Sequence, residues 1–411
     1  MVSSRPSRRR LLTTAGALVA SATIPRVALA APGRDPRFLF VFLRGGADGL
    51  AMVAPVGDPH YEAARGGLAL TRRGSDAGIA LDADFVLNPN MPFLATLFAR
   101  AEAAVVHAVA SPYRERSHFD AQDVVETGLG GVGHGETGWM NRMIGQLAAA
   151  ERTAVPEGLA IGTGLPLLMR GSAPVVTWLP PGYPAVKEDL RAGVLDLYRE
   201  VDPRLAVRFE KAMELDRAMG GEAAFGRTLA DAMKAEKPRG AANFRSSGIA
   251  AGNLMARDDG PRIATMSFLG WDTHADERPI GGPLARQLES LDAALEGLAH
   301  AMERVWKDTV IVVATEFGRA VRMNGTSGSD HGTASLALLV GGGVRGGRVI
   351  TDWPGLGEAQ LHEKRDLRPT TDLRAVLKGV LQGQFGLDDR VLSQVVFPDS
   401  AAVHPLRDLV V

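Results

Sequence analysis

Six short apolar runs punctuate the chain, at residues 38–43, 104–109, 175–178, 263–268, 310–314 and 336–340. Each is nearly continuous rather than alternating, as expected of strands covered on both faces. Helical periodicity lies between them. The clearest case follows Pro283, where Leu284, Leu288, Leu291, Leu295, Leu298, Met302 and Val305 fall on one stripe. Buried strands alternating with amphipathic helices predict an α/β fold, three layers deep, with a largely parallel central sheet. Residues 202–255 read as mostly helical, broken at Gly220-Gly221 and Lys237-Pro238, and predict a helical insertion or cap. No repeat or low-complexity tract interrupts the pattern, so residues 31–411 read as one domain.

The first thirty residues stand apart. They hold Arg5, Arg8, Arg9, Arg10 and Arg26, no acid, a modestly apolar middle, and Ala28-Leu29-Ala30 as a small-residue cleavage site. That is the layout of an export signal. The run Ser7-Arg8-Arg9-Arg10-Leu11-Leu12 resembles a twin-arginine signal, which implies the twin-arginine export machinery as a partner and a periplasmic or secreted mature protein; an ordinary Sec signal with extra arginines is the plainer alternative. The apolar middle is too short and too rich in Ala, Thr and Ser to span a membrane, and no second long apolar segment follows. No transmembrane segment is therefore expected in the mature protein.

Charge narrows the partners. The formal net charge is −1, and removing the five signal arginines leaves −6. A mildly acidic protein lacks the clustered positive charge that nucleic-acid binding needs, so no nucleic acid is expected. There is no cysteine, which excludes disulfides, thiolate metal sites and cysteine nucleophiles. The glycine runs "FLRGGADGL" and "GGGVRGG" match neither a dinucleotide fingerprint nor a P-loop, so no nucleotide cofactor is inferred.

In open α/β sheets ligands gather beyond the carboxyl ends of the strands. The segments that follow the apolar runs are rich in chemistry. Arg44 and Asp48 follow the first run, Ser117 and His118 the second, Asp272 and His274 the run at 263–268, and Glu316 and Arg319 the run at 310–314. Asp330 and His331 precede the last. Asp272, His274, Asp330 and His331 offer nitrogen and oxygen donors without sulfur, which suits zinc, manganese, magnesium or calcium. Loop histidines that fix the backbone by hydrogen bonds are the plainer alternative. Ser117 precedes a helix starting near Phe119, where free N–H groups favour an anion. It reads either as a helix cap or as a nucleophile activated by a metal or base. Arg114 and Arg116 lie close by.

Taken together, "FLRGGADGL", "SPYRERSHFDAQDVVETG", "GWDTHAD", "EFGR", "SDHGTAS" and "GGGVRGG" resemble the bacterial family catalogued as domain of unknown function 1501, from about Phe38 to near Pro398. That resemblance implies twin-arginine export and no established activity. The order of elements is also similar, more distantly, to the alkaline phosphatase and sulfatase superfamily. This implies a metal-binding role for Asp48, a nucleophile at Ser117 or His118 ahead of Thr127-Gly128, and metal ligands at Asp272, His274 and His331. The run "DLRPTTDLRAVL" resembles the helix start near that superfamily's C-terminus. Two departures stand out. Only Thr273 separates Asp272 from His274, a closer spacing than the superfamily's. Glu316-Phe317 also stands where the superfamily has Asp-His; Glu316 can ligate a metal and Phe317 cannot.

The function that follows is a metal-dependent hydrolase of phosphate or sulfate esters. Asp272, His274 and His331 would hold one ion, Asp48 and Glu316 a second, and Ser117 would attack. Arg44, Arg116 or Arg319 would neutralise a small anionic substrate. The alternative is a non-catalytic descendant that binds a ligand, a glycan or a partner protein. A third reading is a metal-free hydrolase with Ser117 as nucleophile and His118 or His274 as base.

Overall fold

A computed structural model describes residues 34–411 apart from residues 134, 152–157, 163, 179–187, 202, 204–205, 208, 211–212 and 214–240. The expected export signal and most of the expected insertion lie outside the described residues. Among the described residues nine strands form one sheet: β1 (Arg37–Arg44), β2 (Ala103–Ala110), β3 (Gly158–Ile161), β4 (Val175–Trp178), β5 (Ile263–Leu269), β6 (Thr309–Thr315), β7 (Ser335–Val340), β8 (Arg348–Ile350) and β9 (Thr371–Asp372). Their order is β8-β2-β7-β6-β1-β5-β3-β4, and β9 also pairs with β2.

All six apolar runs are strands, each within one residue of its expected ends. Every pairing is parallel except those of β7, which runs antiparallel to both β2 and β6. The cause is the connection. Parallel neighbours need a crossover that returns the chain to the starting end. Residues 316–334 contain no helix, so the chain re-enters the sheet from the end at which it left. A β6 end and a β7 start therefore share one edge of the sheet.

The principal helices are α1 (Gly49–Met52), α2 (Tyr61–Arg65), α3 (Pro92–Ala99), α4 (His118–Thr127), α5 (Trp139–Glu151), α6 (Ala241–Met255), α7 (Pro283–Ala301) and α8 (Leu373–Phe385). Strand pleating sends alternate β1 side chains to opposite faces. Leu39, Val41 and Leu43 join one core with α3, α6 and α7, while Phe38, Phe40 and Phe42 join another with α5 and α8. Two cores with the sheet between them make three layers. Burying each of these side chains contributes about 1.5–3 kcal/mol, and β1 lies inside the sheet with a paired strand on either side.

The C-terminal part of the expected insertion belongs to a layer. Helix α6 buries Ala251, Leu254 and Met255 against the sheet and lies against α7. The approach is close because both helices carry glycine at the contact. A Cβ on Gly248 would sit 2.3 Å from the Ala294 carbonyl oxygen, and one on Gly297 would sit 2.4 Å from that of Arg245.

Candidate functional site

The carboxyl ends of β1, β2, β5 and β6 and the amino end of β7 meet at one edge. After β2 the chain passes through Arg116, a non-glycine residue at φ 61°. Such left-handed strain is costly and is held only where the surroundings demand it. The carbonyl of Arg116 lies 3.0 Å from His331 Nδ1. Ser117 takes the N-cap position of α4, yet its hydroxyl makes no capping hydrogen bond. The Tyr113 hydroxyl holds this turn instead, accepting from Ser117 N and donating to Asp120.

His118 opens α4 and points across the sheet edge. Its Nδ1 lies 2.9 Å from Glu316 Oε1, and its Nε2 lies 3.0 Å from His331 Nε2. His274 Nε2 lies 2.8 Å from the same His331 nitrogen and 2.9 Å from Asp272 Oδ1. Asp272 is 3.2 Å from His331 Nε2 through Oδ1 and 3.5 Å from His118 Nε2 through Oδ2. His118, Asp272 and His331 offer ligand atoms that all fall within 4.8 Å of one another. His274 adds a donor on the far side of His331.

The partners of the other ring nitrogens decide the chemistry. A backbone carbonyl only accepts, so His331 Nδ1 must carry a proton. Glu316 likewise holds the proton of His118 on Nδ1, and Asp330 Oδ1, 3.4 Å from His274 Nδ1, biases His274 the same way. Neutral imidazoles so fixed present bare Nε2 lone pairs to one another. Lone pairs 2.8–3.0 Å apart repel unless a proton or a cation lies among them. The shifts agree. The hydrogen bond to Glu316 raises the His118 pKa, while burial and the neighbouring His118 charge lower that of His331. Burial works to raise Asp272, but the Arg319 guanidinium outweighs it and keeps the carboxylate ionised.

The donor set also fits a metal. Donors about 2.0–2.1 Å from tetrahedral zinc stand about 3.4 Å apart, and the His118–His331, Asp272–His331 and His118–Asp272 separations of 3.0, 3.2 and 3.5 Å lie within a few tenths of an ångström of that. Behind each donor sits a fixed hydrogen-bond partner, the arrangement that orients metal ligands. Glu316 is buried and receives Gly45 N–H, Gln122 Nε2 and His118 on Oε1, with the Thr315 hydroxyl on Oε2. Burial pushes Glu316 up, and these donors overcome it. The Phe317 ring packs 4.7 Å from the His118 ring and 5.1 Å from that of His331, walling the cluster with apolar surface.

The expected site residues thus sort into two groups. Asp272, His274 and His331 converge, and His118, expected as an alternative nucleophile, joins them as a donor. Glu316 and Asp330 stand behind histidines rather than among the inner donors. Asp48 does not join: Oδ1 caps α1 by accepting from Leu50 and Ala51 N–H, and Oδ2 accepts from buried Arg65. The three arginines expected to meet substrate are all held internally, because each has a carboxylate within reach. Arg44 pairs with Glu126 and bonds Gln122, Arg116 pairs with Glu363 and Asp366, and Arg319 pairs with Asp272 at 2.7 Å. Arg114, by contrast, donates to the Ser111 and Tyr113 carbonyls. Sequence reasoning missed Gln122, although its place four residues after His118 puts both on one helix face. It also missed Arg65 and Glu277, which no motif marks, and Ser329, which opens the "SDHGTAS" run but was given no role.

A family model described as "Protein of unknown function (DUF1501)" matches residues 101–396, well over half of the chain. The chain belongs to the DUF1501 family. No curated protein matches the sequence. Among solved structures, this DUF1501 protein is similar to Ps i-CgsB in complex with k-i-k-neocarrahexaose, at 11% identity and a TM-score of 0.44 over 90% of this chain and 77% of that one. It is also similar to the PsFucS1 sulfatase from Pseudoalteromonas sp., at 12% identity and 0.35 over 84% and 68%. A third similarity is to the phosphonate monoester hydrolase of Agrobacterium radiobacter, at 12% identity and 0.35 over 90% and 78%. Among the described residues no helix is long and apolar enough to cross a membrane.

Proposed function

We propose that this DUF1501 protein is an exported, single-domain hydrolase of phosphate or sulfate esters that works with one divalent metal, zinc being the best fit. The observation that carries the reading is the convergence of His118, His274 and His331 through Nε2, each with Nδ1 engaged elsewhere. His118, His331 and Asp272 would hold the ion, with His274 completing the set. The metal would supply positive charge to the ester oxygens and favour the deprotonated hydroxyl. Ser117, at the N-terminus of α4 and free of capping duty, is the nucleophile in this reading. The α4 N–H groups then receive the anion, and Arg114 in the preceding loop neutralises it. Glu316 and the Arg116 carbonyl keep the His118 and His331 tautomers. The arginine-rich, acid-free stretch at residues 1–30, with its Ala28-Leu29-Ala30 cleavage site, supports a mature protein in the periplasm or outside the cell.

One ion suits the donors better than two. Asp48, the expected ligand of a second ion, already faces the Arg65 guanidinium, and Glu316 is enclosed by four donors. The same facts favour the second reading, a ligand-, glycan- or partner-binding protein that keeps a metal without turnover. The metal-free triad has less support, because the hydrogen bonds of His118 go to Glu316 and His331 and not to Ser117.

The test begins with the metal content of protein exported and purified without a histidine tag. About one equivalent of zinc, lost in a His118→Ala, His331→Ala double variant, is expected. Folded protein that carries no metal and takes up none on titration would refute the reading. Ser117→Ala should then abolish turnover on an ester panel while leaving the metal in place. A wild-type protein that holds metal but turns over no ester establishes the second reading.

A further inference from the structure

Behind Asp272 a chain of buried polar groups runs away from the cluster. Arg319 Nη1 donates to Asp272 Oδ1 at 2.7 Å, and Arg319 Nε donates to Ser329 Oγ at 3.2 Å. The Ser329 hydroxyl donates to Glu277 Oε2. Glu277 in turn faces Asp48, which accepts from Arg65. Arg65 also holds the carbonyls of Ala320 and Val321, next to Arg319. Arg319, Ser329, Glu277, Asp48 and Arg65 are each no more than 1% exposed.

Charge counting identifies the odd member. Two guanidinium groups, Arg319 and Arg65, each pair with one carboxylate, Asp272 and Asp48. Glu277 is a third carboxyl, and it forms no salt bridge of its own among the described residues. Ionised, it would leave one uncompensated negative charge in a region closed to water. It would also set two carboxylates face to face. Protonated, it balances the charge and can donate to Asp48, while its other oxygen still accepts from Ser329. Glu277 Oε1 is buried with no donor aimed at it, so nothing there stabilises a negative charge on that oxygen.

We propose that Glu277 serves as a neutral carboxylic acid that positions Asp272 for the metal, acting through Ser329 and Arg319. The metal readout rests on the proposed metal site; the neutral state does not. Arg319 Nη2 already lacks a partner, so the guanidinium is held by its bonds to Ser329 and Asp272 alone. Losing the Ser329 anchor frees it to turn and draw Asp272 off line. Burial, the Asp48 charge and the Arg65 charge act on Glu277 in that order, and the balance raises its pKa to about 8.

The test titrates metal-free full chain with zinc alone, in competition with a chromophoric chelator at pH 7. Glu277→Gln keeps a neutral group that accepts from Ser329 and donates to Asp48, and is expected within about twofold of wild type. Glu277→Ala and Ser329→Ala are expected to weaken zinc by about tenfold, the low end for outer-shell partners. A Glu277→Gln variant as weak as Glu277→Ala overturns the neutral acid. Unchanged zinc affinity in both Glu277→Ala and Ser329→Ala overturns the positioning role. Melts of the metal-free proteins give an independent reading. A carboxyl whose pKa rises on folding from 4.5 to about 8 contributes stability that is present below pH 4.5 and lost as pH rises through 8. Wild type should lose stability across that window relative to Glu277→Gln; parallel profiles overturn the neutral state. A wild-type protein that takes up no zinc overturns the metal site and the positioning of its ligand, and the melts still decide the protonation of Glu277.

Discussion

Glu316→Gln separates charge from geometry at the cluster. Three donors converge on Glu316 Oε1: Gly45 N at 2.8 Å, His118 Nδ1 at 2.9 Å and Gln122 Nε2 at 3.0 Å. An amide oxygen placed there keeps all three, and its NH2 meets the Thr315 hydroxyl on the other side. What disappears is the negative charge. Charge-assisted hydrogen bonds are roughly twice as strong as neutral ones, so three such bonds should lose about 1–3 kcal/mol together. The His118 ring also becomes a poorer donor, and zinc affinity at pH 8 should fall by about 10–100-fold. The pH dependence should move in the opposite sense. Glu316 raises the His118 pKa, so acid competes with metal from a higher pH in wild type than in the variant. In the metal-free protein the His118–Glu316 pair stabilises the fold fully below the ordinary histidine pKa of 6.5, and that contribution is lost as pH rises through the raised value. Chelator-competition titrations from pH 5 to 8 and urea melts of the metal-free protein measure both effects. Unchanged affinity at pH 8 with an unmoved acid limb would refute the assignment of Glu316 as the residue that orients His118.

Other substitutions probe how the scaffold delivers the site. Gly45 lies at φ 120°, and a Cβ there would stand 2.7 Å from Asp272 N. Gly45→Ala should destabilise the fold by about 1–3 kcal/mol and weaken zinc as well, measured by urea melts and the same titration. Asp292 reaches from α7 to cap α3, accepting from Phe93 N and Leu94 N at 2.9 and 2.8 Å. Asp292→Ala should cost about 1–2 kcal/mol at pH 5 in urea melts. Burial raises the Asp292 pKa to about 6, so its contribution is present below pH 3.8 and lost as pH rises through 6; Asp292→Asn should flatten that slope. Zinc at a thousandfold its dissociation constant should add about 4 kcal/mol to stability, and a chelator should remove it. A melting temperature indifferent to both would contradict a native-state metal site.

Much of the fold was legible because burial writes itself into sequence. The six predicted strands are runs built largely of Val, Ile, Leu, Phe and Ala, as a doubly covered sheet demands, and they appear where the pattern put them. Strands β8 and β9, at three residues or fewer, are too short to carry a pattern above background, and β3, as short as the predicted β4, opens on Gly158 and keeps only three apolar residues. The reversal of β7 was not legible either. An apolar run has no direction, and only the missing crossover between Thr315 and Ser335 reveals one. That reversal matters to the site. It brings His331 to the edge at which β6 delivers Glu316, so residues on opposite sides of a loop meet.

The site itself divides along a physical line. Residue type at a strand end is visible in sequence; the partner that occupies it is not. Glu316 and Asp272 are both acids just past buried strands, yet one faces three histidine Nε2 atoms and the other stands behind His118. Asp48 looks equally available until Arg65, in the unremarkable stretch "HYEAARGG", is seen to fill the place a cation would take. A guanidinium and a divalent ion are alternative answers to the same buried carboxylate, and only folding shows which one the chain supplies from within. The same reasoning accounts for the arginines. Arg44, Arg116 and Arg319 follow strand ends as anion-binding groups do, but each finds a carboxylate of its own. Their charges are therefore committed to holding Glu126, Asp366 and Asp272 in place, and they help to set the geometry that presents bare imidazole nitrogens to a cation.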